Sequence, residues 1–227
     1  MTIARKLYRR LFPARPPRTL ASLDAYDLWA ANYPPQAHNP LMLAEQAAML
    51  DLMPPLAGQV VLDLACGTGR YGLLAQARGA KYVLGIDNSA AMLNLNPLVN
   101  RVQSTSEAVP LANHSVDLVI CALALGHLPR LQPSLSEIGR VLKPGGIALV
   151  SDLHPAIALA GGQRTFHGSD GQLYAVEHYV HVIDDYQRAG QAAGLQIDAL
   201  QEPALDSASG AGSSPVVIVF RFRKPAL

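Results

Sequence analysis

Cysteine is nearly absent from this sequence: Cys66 and Cys121 stand far apart, with no Cys or His at ligand spacing beside either. That excludes a disulfide framework and a zinc site, and it predicts reduced thiols in a cytoplasmic protein. Long apolar runs are missing too. None approaches the ~18 residues that a membrane-crossing helix needs, so no transmembrane segment is expected. Charge is sparse, at 15% of residues, yet 50% are hydrophobic, which excludes a disordered chain. At 227 residues the chain can bury a full core without staples, as one domain carrying an insertion.

Acid is absent from the first 18 residues, which hold six basic groups: Arg5, Lys6, Arg9, Arg10, Arg15 and Arg18. The rest of the chain has 12 basic residues against 17 acidic, a net charge of −5. A body of that sign repels a phosphate backbone, so the expected partner is a small molecule and not a nucleic acid. Within the basic segment, Ile3, Leu7, Leu11 and Phe12 recur at helical spacing, which also suits weak contact with an anionic membrane surface. A solvated extension over residues 1–18 is the plainer reading, and the segment makes a poor secretory signal.

From residue 59 to 200 strand and helix patterns alternate, which predicts a parallel sheet covered by helices. Strands are expected at 60–65, 82–87, 99–104, 116–122, 147–152, 195–201 and 216–222, and no internal repeat is visible. Helices are expected at 70–78, from Ser89 to Pro97, at 133–142 and at 184–193. Lys143-Pro-Gly-Gly146 reads as a turn, and the Gly/Ser/Ala-rich stretch 207–214 as a mobile surface loop. Two regions stand outside the alternation. Residues 19–57 read as a helical lid, and 154–183 as an insertion that caps the substrate, within a single domain over 19–227. In that insertion Ser169-Asp-Gly171 reads as a hairpin turn before a strand from Leu173 to Ile183. Period two would set Tyr174, Val176, His178, Val180 and Val182 on one face and Ala175, Glu177, Tyr179, His181 and Ile183 on the other.

The chemistry concentrates in Val61-Leu-Asp-Leu-Ala-Cys-Gly-Thr-Gly-Arg70 and Gly85-Ile-Asp-Asn-Ser-Ala-Ala-Met92. Gly67 and Gly69 let the backbone approach a ligand at the end of a strand. Asp63 puts a carboxylate by that turn, suited to a cationic amino group. Asp87 ends the next strand, where a carboxylate accepts from both ribose hydroxyls. Gly67-Thr-Gly-Arg-Tyr-Gly72 also matches the dinucleotide fingerprint, which keeps an NAD(P)-dependent oxidoreductase open as the rival. Against it, Asp63 would face and repel a pyrophosphate, and Ala65 and Cys66 intervene between the strand and the first Gly. The pairing of acid, glycines and acid favours a ligand with a positive amino end and a ribose.

Together with Pro110–Ala122 and Val141–Gly146, these segments resemble the successive motifs of class I S-adenosylmethionine-dependent methyltransferases, in particular the ubiquinone/menaquinone-type (methyltransferase type 11) family. The resemblance covers about residues 55–155. It implies an α/β, Rossmann-like three-layer sandwich with a seven-stranded, mostly parallel sheet and an antiparallel last strand. It implies S-adenosylmethionine as cofactor and in-line methyl transfer to a small molecule. Asp63 and the Gly67 and Gly69 backbone would hold the methionine moiety and Asp87 the ribose, with Asn88 and Met92 near the adenine. Ala65, Cys121 and Ala122 in the matching motifs, with Thr105, Ser106 and Glu107 in the stretch before Pro110, complete the expected cofactor lining. Two departures stand out. Thr105 takes the position where relatives often carry an Asp for the adenine amino group, and Ala65 replaces a frequent Gly, which is tolerable if its φ is negative. The motifs speak for binding and not for turnover, so a non-methylating adenosylmethionine-binding protein also stays open.

An acceptor oxygen or nitrogen needs a base near neutrality, for which His is the usual choice. His154, after the fifth strand, and His127, after the fourth, are the catalytic candidates. His178 and His181 in the insertion, and His38 and Tyr26 in the lid, are candidates for the substrate. Tyr33 is the expected aromatic lid over the cofactor, and packing with Trp29 is its alternative role. Cys66 has no activating partner in sequence.

Overall fold

The computed structural model describes residues 16–206 and 213–226. The basic stretch 3–12, and residues 207–212 of the stretch expected as a loop, lie outside them. Seven strands form one sheet: β2 (Val60–Leu64), β3 (Tyr82–Asp87), β4 (Arg101–Gln103), β5 (Val116–Ala122), β6 (Leu142–Leu153), β9 (Gln196–Gln201) and β12 (Val217–Arg223). Their order is β4-β3-β2-β5-β6-β12-β9. β2 through β6 pair in parallel, as the alternation predicts, and β12 runs antiparallel between β6 and β9, the last-strand direction that the resemblance implies.

The central strands are apolar on both faces because helices cover both. On one side Leu62 and Leu64 of β2, Val119 and Cys121 of β5 and Phe220 of β12 pack with Leu135 and Ile138 of α5 (Gln132–Val141) and Tyr186 of α7 (Ile183–Ala192). On the other, Val61, Ile120 and Val219 meet Met42 and Met49 of α2 (Pro40–Asp51) and Tyr71 of α3 (Arg70–Ala77). Helix starts follow their capping chemistry. The Asn39 side chain accepts from Met42 N at 2.9 Å ahead of Pro40, and Ser89 accepts from Met92 N at 3.1 Å to open α4 (Ala90–Leu95).

Five expectations about local structure need correction. Lys143-Pro-Gly-Gly146 is not a separate turn: β6 already starts at Leu142 and carries these residues through a register shift against β5. The lid region is not all helical. β1 (Arg18–Leu20) pairs in parallel with β8 (Leu173–Val176), which pairs antiparallel with β7 (Thr165–His167). The long strand expected from Leu173 to Ile183 stops at Val176, because its neighbour β1 turns after Leu20 into α1 (Ser22–Trp29) and offers no further partner. Alternation fails there as well: Tyr174, Ala175 and Val176 are all buried, so both faces of this small sheet are covered. Trp29 of α1 stacks on Phe166 of β7 with ring centres 4.7 Å apart, and Tyr174 stacks on Phe166 in turn. Part of the stretch expected as a loop is also ordered: β10 (Ala204–Asp206) pairs antiparallel with β11 (Ser213–Pro215).

Candidate active site

At the carboxyl ends of β3, β2 and β5 lies a cavity of about 310 Å³, where open α/β sheets hold ligands. Asp63 is buried on β2, and its Oδ2 accepts from the Gly72 N–H at 2.7 Å in the first turn of α3. Gly72 makes that approach possible, since a side chain there would strike Leu98. Asp63 lines the cavity, and its Oδ1 meets no protein donor among the described residues. Burial, aided by Asp87 and opposed by the Gly72 bond and Arg70, pushes the Asp63 carboxyl up to about 7. Such a group is matched to a cation that arrives with the ligand.

Asp87, the last residue of β3, accepts from Gly67 N at 2.7 Å and from Ser89 N at 2.8 Å. These bonds fold the glycine turn against β3 and leave lone pairs on both oxygens for further donors. Burial, against those backbone bonds, raises the Asp87 pKa. Gly67 has φ +51, and nothing lies within 4 Å of where a side chain would stand, so the cavity floor there is bare backbone. A buried carboxylate oxygen without a donor, a bare glycine floor and a second carboxylate one strand away fit an amino acid joined to a ribose.

A family model described as a methyltransferase domain matches residues 62–150. The biotin biosynthesis bifunctional protein BioHC of Cellvibrio japonicus is 31% identical over 173 residues, 71% of this chain. The chain spans only 33% of that protein's length. Malonyl-(acyl-carrier protein) O-methyltransferase of Enterobacter lignolyticus is 28% identical over 178 residues, 77% of this chain and 70% of that one. The crystal structure of a putative S-adenosylmethionine-dependent methyltransferase from Listeria monocytogenes shares the fold. Its TM-score is 0.67 at 24% identity, covering 80% of this chain and 98% of that one. Residues 62–150 are thus similar to a methyltransferase domain, and the chain has the α/β Rossmann-like methyltransferase fold.

Most residues expected at a methyltransferase cofactor site line the cavity: Tyr33, Asp63, Ala65, Gly67, Asp87, Asn88, Met92, Thr105, Ser106, Glu107 and Ala122. Gly69 and Cys121 do not. Gly69 caps α3 behind the turn, and Cys121 is fully buried in the helix-covered core of β5. Ala65 is there with φ +56, so the condition of a negative φ fails and the side chain stands in the left-handed region. Leu123, at the tip of β5, has φ +55. Two adjacent strands thus leave the sheet through strained non-glycine residues at the cavity.

The candidate acceptor residues separate. Tyr26 and His127 line the cavity, whereas His38, His154, His178 and His181 do not. His154 Nδ1 accepts from Ala156 N at 3.1 Å, capping α6 (Pro155–Leu159), and Nε2 meets Glu202 at 2.8 Å. Both ring nitrogens therefore serve the local structure. His178 packs against Gly126 and the His127 ring, and His181 donates to the Leu128 carbonyl at 2.8 Å. His38 is exposed. His127 Nδ1 donates to the Glu177 carbonyl at 2.7 Å, which fixes the tautomer and leaves the Nε2 lone pair to the Tyr26 hydroxyl at 3.0 Å. Burial and the Arg164 cation lower His127 to about 3, and burial raises the Tyr26 phenol to about 12.

Sequence reasoning missed Arg164 and Glu45. Arg164, between α6 and β7, lines the cavity and donates through Nη1 to Tyr26 Oη at 2.6 Å and to the Leu123 carbonyl at 3.2 Å. No local pattern marks it. Glu45 is fully buried and accepts from Arg70 at 2.8 Å, Tyr71 at 2.9 Å and Ser151 at 2.7 Å. A carboxylate set between Leu41 and Met49 on an apolar helix face was its signal.

Proposed function

We propose that the protein transfers a methyl group from S-adenosylmethionine to a small-molecule acceptor enclosed in this cavity. The observation that carries the reading is the unpartnered, buried Asp63 oxygen beside the bare Gly67 backbone, one strand from Asp87. In this reading Asp63 and the Gly67 backbone bind the methionine end and Asp87 the ribose hydroxyls. Asn88, Met92 and the 105–107 loop flank the adenine, and Tyr33 covers it. The bound cofactor supplies an electrophilic methyl group on a sulfonium. Residues 16–39 and 154–183 form the cap that orients the acceptor and keeps water out, because β1 and α1 join β7 and β8 above the cavity. No helix among the described residues is long and apolar enough to cross a membrane.

Calorimetric titration with S-adenosylhomocysteine, with NADH and NADPH in parallel, tests the reading. Saturable binding of S-adenosylhomocysteine alone is expected, and Asp87→Ala should weaken it by about 1–3 kcal/mol through lost charge-assisted bonds. Binding of a nicotinamide nucleotide alone would return the site to the dinucleotide reading.

A further inference from the structure

The cavity has a second end. Along the sheet the order is β3, β2, β5, so the tip of β5 lies about 10 Å from Asp87 and about 5 Å from the line of Asp63, at the usual strand spacing. At that tip stands Arg164. Both hydrogens of its Nη1 are used, by Tyr26 and by the Leu123 carbonyl. Among the described residues neither Nε nor Nη2 meets an acceptor, and no carboxylate forms an ion pair with the guanidinium. The free Nε–Nη2 edge is the one that grips a carboxylate through two parallel bonds. Leu123, Ala124 and Leu128 line the same end and offer an apolar wall to whatever carries that anion.

The groups around Arg164 point the same way. A chain of bonds runs from Arg164 to Tyr26, from Tyr26 to His127 and from His127 to the Glu177 carbonyl, each donor spent on the next acceptor. It holds the guanidinium in place and leaves no lone pair on His127 to take a proton from a substrate. The acids on the lining, Asp63, Asp87 and Glu107, belong to the segments assigned to the cofactor. A nucleophile at this end has to arrive already deprotonated.

Resting on the methyltransferase reading above, we propose that the acceptor is a carboxylic acid, bound as its carboxylate on the Nε–Nη2 edge of Arg164 and methylated on oxygen. One carboxylate oxygen forms a bond to the methyl carbon, the carbon–sulfur bond breaks, and its electron pair stays on sulfur. The products are a methyl ester and a neutral thioether. No proton moves. Two bonds to Arg164 occupy one lone pair on each carboxylate oxygen and leave the others free to attack.

Hexanoate, with hexanol and hexylamine as matched controls, tests this on protein saturated with S-adenosylhomocysteine. The wild type should bind hexanoate and neither control, and with S-adenosylmethionine it should form methyl hexanoate. Arg164→Gln should weaken hexanoate by about 10- to 100-fold, the loss expected for charge-assisted bonds, with Arg164→Lys in between. Its affinity for S-adenosylhomocysteine should stay within about twofold, which also shows that the variant folds. An equal loss of S-adenosylhomocysteine affinity would make Arg164 the grip on the cofactor's own carboxylate and overturn the proposal. Hexanol or hexylamine binding as well as hexanoate, or no hexanoate binding, would overturn it too. Failure of the wild type to bind S-adenosylhomocysteine would instead defeat the methyltransferase reading itself.

Discussion

Asp63 carries the sharpest consequence at the scale of one residue. Burial, helped by Asp87 and opposed by the Gly72 N–H and Arg70, holds its carboxyl at about 7 in the folded chain. Unfolded, it titrates near ~4. A carboxyl raised on folding contributes stability that is full below about pH 4 and lost as the pH rises through about 7. Ionised Asp63 is also the form that attracts an ammonium group. The melting temperature of the ligand-free protein should therefore fall between about pH 5 and 8 relative to Asp63→Asn. S-adenosylhomocysteine should raise it more at about pH 7.5 than at about pH 5.5, and this difference should vanish in Asp63→Asn. Equal ligand shifts at both pH values would remove Asp63 from the ammonium contact.

Among the elements, the small sheet β1-β8-β7 is the part most separable from the rest. Its own cluster of Ala25, Trp29, Phe166, Tyr174 and Val176 is distinct from the two cores that sandwich the large sheet. One polar tie crosses from α1 to the cofactor motif: the Ser89 hydroxyl donates to Asp27 at 2.5 Å. Removing the ring at the centre of this stack should open the cap before the sandwich. Phe166→Ala, a loss of about 3–5 kcal/mol in a packed core, should speed amide exchange over 18–29 and 165–176. Exchange in β2, β5 and β6 should stay unchanged, and S-adenosylhomocysteine should bind more weakly. Equal acceleration in β5 would mean that cap and sandwich unfold as one unit.

For the molecule as a whole, Glu45 joins the layers. From α2 it accepts from Arg70 and Tyr71 on α3 and from Ser151 on β6, so one carboxylate ties two helices to a central strand. Truncating it strands a largely buried guanidinium. Glu45→Ala should lower global stability by about 3–5 kcal/mol, read as an earlier urea midpoint at unchanged slope. Glu45→Gln, which still accepts from Tyr71 and Ser151, should lose less. A shift below about 1 kcal/mol for the alanine variant would show that Arg70 finds water instead.

The sandwich and the grouping of Asp63, Gly67 and Asp87 on one cavity were legible because their chemistry is local. Asp63, Gly67 and Asp87 sit within 25 consecutive residues, at strand ends and in a turn whose conformations their own sequence dictates. Strand and helix periods placed the large sheet to within a few residues for the same reason, except that β6 starts at Leu142, ahead of the expected 147. The end at β5 was legible only in part: Tyr26 and His127 were singled out and line the cavity, but their partners were not. Arg164 meets Tyr26 across 138 residues, Tyr26 meets His127 across 101, and Glu45 meets Ser151 across 106. No short pattern marks such partners, since only the packing of the cap on the sheet edge brings them together. His154 and His127 looked alike in sequence, each a histidine just past a central strand. Tertiary contacts alone turned one to a helix cap and Glu202 and the other into the cavity, with its lone pair already spent on Tyr26.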